Sequence, residues 1–276
     1  MQVARPWTPP VGPLGRLSEL GRTRAAEARA ARPLDAWAGE ALAAPAAPDL
    51  MAALRGADGL AVIAEVKRRS PSKGAINDAI DPVAQVGAYA HGGAAAFSIL
   101  TEPSEFGGSL DDLRAAARAY ARPCIRKDFV VDEVQLAEAR LAGAAGVLLI
   151  ARALPTERLH ALFNGARALG LEPLVEVRDE AELDDAVACG ARVVGVNNRD
   201  LETLRIDDAV SARLLPRVPR DVVAVYESGV TSRADVERAA AMGADAVLVG
   251  SWLSAAPDPA AAVATLTGVA RVARGG

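Results

Sequence analysis

Between about residue 60 and residue 250 the chain alternates between short apolar, β-branched runs and longer segments of helical periodicity. This repetition constrains the fold more than any other feature, because strand–helix units bury their strands most readily as a parallel sheet covered by helices. The spacing predicts eight strands, at Leu60–Lys67, Ala95–Leu100, Pro123–Lys127, Gly146–Ile150, Pro173–Val177, Arg192–Asn197, Val222–Glu227 and Ala246–Gly250. Helical patterns follow most of them. Thr156–Leu169 places Leu159, Leu162, Phe163 and Ala166 on one face, and a helix from Ser232 follows the N-cap pair Thr231 and Ser232. Gly143, Gly190 and Gly243 open Gly-Ala-x-x-Val phrases before strands, where glycine suits a helix C-cap. Eight such units favour an α/β fold of the closed (β/α)8, or TIM-barrel, type over an open doubly wound sheet.

The first predicted strand begins only at residue 60. Residues 1–59 are therefore expected to form an N-terminal helical extension packing on a catalytic barrel of residues 60–276. Leu14–Arg32 is rich in Ala, Arg and Leu and stops at Pro33, the Ala/Pro stretch around 45–48 reads as a connector, and the first dozen residues are expected to be disordered.

About half of the residues are apolar, and the net charge is −4, too mild for a general nucleic-acid or membrane-surface binder. No apolar run approaches the roughly 20 residues that span a bilayer. The N-terminus is polar and proline-rich, unlike a signal peptide, so a cytoplasmic enzyme is expected. Cys124 and Cys189 are isolated and suggest neither a disulfide framework nor a metal site. Of 31 basic residues only three are lysine: Lys67, Lys73 and Lys127. Nucleotide bias explains the general swap to arginine but not where lysine persists. Arginine keeps its charge under nearly all conditions, whereas lysine can be tuned for proton transfer, so a surviving lysine is a candidate for chemistry.

Barrel active sites lie at the C-terminal ends of the strands. Alternation puts Glu65 and Lys67 on one face at the end of the first strand, and Lys127 on the face of Ile125. Glu176 shares the face of Leu174 in an otherwise apolar strand, where an unpartnered carboxylate is costly. Asn197 and Glu227 end the sixth and seventh strands, so five strands deliver polar groups at one end. Glu227-Ser228-Gly229 and Gly250-Ser251 follow the last two strands, where barrels often hold phosphate. His91 and His160 fall on predicted helices and read as surface residues. Cys124 reads as core, Tyr226 is expected to face the helix layer, and Lys73 reads equally well as a phosphate contact or a solvated loop charge.

From about residue 60 to 253 the chain resembles the indole-3-glycerol phosphate synthase family. The matching phrases are Glu65-Val-Lys-Arg-Arg-Ser-Pro-Ser72, Leu100-Thr-Glu-Pro103 with Phe106-Gly-Gly-Ser109, Arg126-Lys-Asp-Phe129, Pro173-Leu-Val-Glu-Val177, Gly195-Val-Asn-Asn-Arg-Asp-Leu201, Glu227-Ser-Gly229 and Gly250-Ser251. The resemblance implies a carboxy-lyase of tryptophan biosynthesis, closing the indole ring of 1-(2-carboxyphenylamino)-1-deoxyribulose 5-phosphate with loss of CO2 and water. By the same resemblance Lys127 is the acid for the ketone, Glu176 a base or proton shuttle, and Lys67 an acid or electrostatic clamp held by Glu65. Asn197, Arg199 and Glu227 orient the substrate, Arg199 towards its carboxylate. Ser70, Ser228, Gly229, Gly250 and Ser251 contact phosphate or lie in nearby loops. Phe106, Phe129 and Leu148 wall the anthranilate ring. The family implies no metal or organic cofactor and, as partner, only the phosphorylated small molecule, in a monomer or weak homodimer. A paralogue with the same chemistry in secondary metabolism is the alternative. A non-catalytic barrel would be expected to lack at least one catalytic residue, and none is missing. Residues 1–59 match poorly, although the resemblance implies an N-terminal helical extension that helps cover the site, and Gly107 is expected to loosen the second loop.

Overall fold

The computed structural model describes residues 10–274. Beside a small antiparallel pair, Arg69–Ser70 with Gly74–Ala75, its barrel strands are β1 (Ala61–Val66), β2 (Ala96–Leu100), β3 (Cys124–Lys127), β4 (Gly146–Ile150), β5 (Glu172–Val177), β6 (Val193–Asn197), β7 (Val223–Glu227) and β8 (Ala246–Val249). All neighbours in the barrel pair in parallel, and β1 closes the ring by pairing with both β2 (Ile63 with Ala96) and β8 (Ala61 with Ala246). The architecture is thus the eight-stranded closed barrel that the repeat predicts. Nearly every strand residue is buried, because one face fills the barrel and the other meets the helices.

Local chemistry sets the helix ends. Asp81, Ser109, Asp132, Asp179, Ser232 and Asp258 each cap a helix N-terminus by accepting from a backbone N–H of its first turn. At the other ends, Gly143, Gly190 and Gly243 take the positive φ of a C-cap (87°, 85° and 90°) just before the next strand. The helix Thr156–Ala168 buries Leu159, Leu162, Phe163 and Ala166 together.

Three helices precede β1: α1 (Gly12–Ala31), α2 (Leu34–Ala43) and α3 (Leu50–Arg55). The disorder expected for the first dozen residues falls mostly on 1–9, outside the described residues; from Gly12 the chain is helical. Helix α1 reaches the C-terminal ends of the strands, where a Cβ on Gly21 would stand 2.4 Å from the carbonyl oxygen of Phe129. Helix α2 packs on the helix Glu133–Leu141, and Arg140 Nη2 donates to the Ala44 carbonyl (2.9 Å). Helix α3 lies at the opposite end, with Leu50 against Gly146, the first residue of β4. The leading segment therefore runs from the mouth of the barrel to its base.

One expectation needs correction. His160 is half-buried, not a surface residue, and its Nε2 is buried without a hydrogen-bond partner among the described residues. Gly107 takes the left-handed conformation (φ 64°) that ends a short turn, and the buried Glu102 carboxylate accepts from the backbone N–H groups of Ser104, Glu105 and Phe106 just before it. His91 is exposed and Cys124 is core, its thiol pushed up to about 12 by burial. Tyr226 leaves the barrel interior, its hydroxyl 3.2 Å from Asp208 Oδ1.

Candidate active site

At the C-terminal ends of the strands lies one cavity, and β1, β3 and β5 send its central charges there. Lys67 Nζ sits 2.8 Å from Glu65 Oε1, while Ser98 Oγ donates to Glu65 Oε2 (3.2 Å). Lys127 Nζ lies 3.8 Å from both Glu65 Oε2 and Glu176 Oε2. That separation attracts but is too long for a hydrogen bond, and Lys127 Nζ makes none among the described residues. Its N–H groups are held in place yet uncommitted. Burial works against the Lys127 ammonium, but Glu65, then Glu176 and Glu227, outweigh it and raise its pKa above the ordinary lysine value. Burial likewise opposes the Glu65 carboxylate, and Lys67 and Lys127 overcome it, holding Glu65 below the usual carboxylate range.

Glu227, at the end of β7, is in the opposite state. Burial first, and the neighbouring Glu176 charge second, push its pKa well above normal, with Lys127 only partly offsetting them. Its Oε1 has no hydrogen-bond partner among the described residues. That oxygen occupies space left by Gly195 on β6, where a Cβ would stand 2.0 Å away. Gly250 makes room in the same way: a Cβ there would stand 2.2 Å from Glu65 Oε1 and 2.7 Å from Lys67 Nζ. Beyond its expected place near phosphate, Gly250 thus leaves space for the Glu65–Lys67 pair.

Asn197 organises the loops after β6 and β7. Its Oδ1 accepts from Arg199 N and from Ser228 Oγ, both at 2.9 Å. Ser228 adopts φ 68°, a conformation costly for a residue with a side chain, and this turns Glu227-Ser228-Gly229 into the cavity. Arg199 is half-buried, and its guanidinium donates to the Leu204 carbonyl (2.8 Å). Burial lowers its pKa, and it forms no ion pair within 4.0 Å among the described residues. A partly desolvated cation without a counter-charge suits an anionic group on a ligand.

The remaining expected residues line the same cavity. Ser70, Gly229, Gly250 and Ser251 border it on one side, and Phe106, Phe129 and Leu148 supply apolar wall, the two phenyl rings 6.2 Å apart. Lys73 also borders it, from an exposed turn in which its N–H donates to Ser70 Oγ (3.2 Å). All three lysines of the chain therefore line one cavity. The cover that the resemblance implies for the N-terminal extension is present, but its residues were not identified from the sequence: Leu14 and Leu17 come from α1, and Leu201, Leu204 and Ile206 from the loop after β6. The i, i+3 spacing of Leu14 and Leu17 was a readable signal of an apolar face, but nothing in it said what that face covers.

A family model described as indole-3-glycerol phosphate synthase matches residues 15–266. The chain belongs to the indole-3-glycerol phosphate synthase family. It is 50% identical over 226 residues to the indole-3-glycerol phosphate synthase of Opitutus terrae, covering 80% of this chain and 85% of the relative. With that of Mycolicibacterium vanbaalenii it is 49% identical over 245 residues, 89% of this chain and 90% of the relative. Among solved structures it is similar to the 3-hexulose-6-phosphate synthase of Salmonella typhimurium, with a TM-score of 0.60 and 16% identity over 75% of this chain and 96% of that one. That likeness shows the barrel fold alone. As an indole-3-glycerol phosphate synthase family member the chain is an enzyme, a carboxy-lyase of tryptophan biosynthesis. No described helix is long and apolar enough to cross a membrane.

Proposed function

We propose that this cavity closes the indole ring of 1-(2-carboxyphenylamino)-1-deoxyribulose 5-phosphate, and that Lys127 is its central acid. The ring carbon bearing the carboxylate attacks the ketone carbon, and Lys127 Nζ gives a proton to the ketone oxygen as its charge develops. Loss of CO2 from that ring carbon restores aromaticity. The new hydroxyl then leaves as water, taking a proton from an acid, while a base removes a proton from the carbon beside the nitrogen. Glu176 serves as base or shuttle, and Lys67, held by Glu65, as acid or clamp.

Charge balance supports this substrate. Lys67, Lys73, Lys127 and Arg199 bring four cations to the cavity, and Arg199 has no carboxylate within 4.0 Å among the described residues. That unpaired guanidinium and the cluster of lysines fit a ligand carrying both a carboxylate and a phosphate. Arg199 and Asn197 orient the carboxylate, with Glu227 beside them. Ser70, Ser228, Gly229, Gly250 and Ser251 receive the phosphate, and Phe106, Phe129 and Leu148 stack about the aromatic ring. The observation that carries the reading is Lys127 itself, charged, uncommitted and equidistant from Glu65 and Glu176. We propose that the enzyme works in the cytoplasm, as a monomer or weak homodimer acting on this one small molecule without metal or cofactor.

The test is direct. Purified protein mixed with the substrate is expected to develop indole fluorescence with release of CO2; absence of product at saturating substrate would refute the reading.

A further inference from the structure

Asp128 follows Lys127 and is fully buried, and its carboxylate is saturated. Oδ2 accepts from Thr101 Oγ1 (2.7 Å) and Arg126 Nη2 (3.0 Å). Oδ1 accepts from the Phe129 N–H (2.8 Å) and from Arg24 Nη2 (2.7 Å). Three of these donors belong to the barrel. The fourth, Arg24, comes from α1, more than a hundred residues earlier in the chain.

Burial opposes the Asp128 carboxylate, and Arg126 and then Arg24 are the cations that hold it below the usual carboxylate range. Arg126 is shared, since its Nη1 also donates to Glu138 Oε2 (3.0 Å) and to the Gln135 carbonyl. Arg24 Nη1 lies 3.5 Å from Glu102 Oε1, the buried carboxylate that caps the turn carrying Phe106. One guanidinium therefore bridges the two buried acids at the starts of the loops after β2 and β3. These loops carry Phe106 and the Lys127–Phe129 segment, and the two phenylalanines meet in the cavity wall. Gly21, one turn before Arg24, brings the α1 backbone against the Phe129 carbonyl, so the helix has no slack against this segment.

We infer that Arg24 is a positioning residue for Lys127: through Asp128, helix α1 sets where the Lys127 ammonium stands between Glu65 and Glu176. The inference rests on the acid role given to Lys127 above. Without Arg24, Asp128 keeps a buried charge against an arginine already engaged by Glu138. The segment then relieves it by admitting water or shifting, and Lys127 moves with its neighbour. Misplacement of a reacting group by about an ångström is enough to cost up to about a hundredfold in rate.

The test compares Arg24→Met with Arg29→Met. Arg29 also ties α1 to the barrel, through Asp132 and Glu133, but does not touch Asp128. Arg24→Met is expected to lower kcat about ten- to a hundredfold, Arg24→Lys to recover part of it, and Arg29→Met to lower Tm while leaving kcat unchanged. In an Asp128→Asn background, Arg24→Met should cost little further. A second readout needs no substrate. The chain has only three lysines, so 13C-labelled lysine gives three titrating NMR signals, with Lys127 assigned by Lys127→Met. Arg24→Met should lower the Lys127 pKa as Nζ leaves Glu65 and Glu176, and Arg29→Met should not. An unchanged Lys127 titration in Arg24→Met, or a loss of Tm with unchanged kcat, would make Arg24 a simple anchor and overturn the inference. An inactive unmodified protein would instead overturn the proposed reaction, and the NMR titration would still decide the role of Arg24.

Discussion

Strand β5 carries two buried glutamates, Glu172 at its start and Glu176 near its end, and the barrel treats them in opposite ways. At the base, Glu172 is closed off by two guanidiniums, those of Arg167 and Arg192, both in direct contact with it. At the mouth, Glu176 has one cation within 4.0 Å among the described residues, Lys127, at a distance too long for a hydrogen bond, and the Glu227 carboxyl beside it. The first arrangement engages both carboxylate oxygens in direct hydrogen bonds to guanidinium. The second leaves both partners with unspent capacity in a low-dielectric setting, the condition under which a proton can be exchanged with a bound molecule. One strand thus shows the division common to this architecture, stability at one end and chemistry at the other.

The sharpest way to break this contrast is Lys127→Arg. The charge is kept, but guanidinium is a poor proton donor, so kcat should fall about a hundred- to ten-thousandfold with the fold intact by circular dichroism. Near-normal turnover would remove Lys127 from the acid role. Next comes the paired exchange on β5 itself. Glu176→Gln should lower kcat about a hundredfold or more without lowering Tm. Glu172→Gln should leave kcat alone and lower Tm by about 2–4 °C. That loss corresponds to about 1 kcal/mol, because Arg167 and Arg192 are each more than a third exposed and water screens the pair. If the two variants exchanged phenotypes, the division of labour along the strand would be wrong.

A smaller effect reads the electrostatics of the mouth. The acid form of Lys127 persists below its raised pKa, so activity should be lost only as pH climbs through that value. Glu65→Gln removes the carboxylate that contributes most to the rise, and the basic limb of the rate profile should move to lower pH by about one unit. A limb that stays put would mean another group sets it. The smallest effect concerns Glu227. A carboxyl whose folded pKa is raised takes up a proton on folding, which costs stability above the unfolded pKa and nothing below it. Glu227→Gln, neutral at every pH, should therefore raise Tm at neutral pH by about 2–4 °C, or about 1 kcal/mol, and converge with the unmodified protein in acid. Equal Tm at both pH values would show that Glu227 folds ionised.

Much of this molecule is legible in one dimension, for identifiable reasons. All eight strand positions follow from apolar runs, because a parallel barrel buries both faces of each strand. The charges at Glu65, Lys127 and Glu176 stand out as exceptions within those runs, and the survival of lysine at three positions in an arginine-rich chain marks the cavity before any geometry is known. Helix α1 was legible as a helix, and as a cover for the site only through the resemblance; its contacts were not, since its spacing declares an apolar face and not a partner. His160 misled because a lone histidine on an amphipathic helix carries no sign of which neighbour covers it.

What the sequence determined alone is the kind of fold, the end at which chemistry occurs and the residue types gathered there, all of which depend on local pattern and strand polarity. What only the tertiary structure decided is the distances: Lys127 equally far from two carboxylates, Glu227 filling the space over Gly195, and Arg24 reaching Asp128 across the mouth. These depend on barrel closure and the docking of α1, which bring together side chains far apart in the chain, and the proton affinity of each group is set by those neighbours.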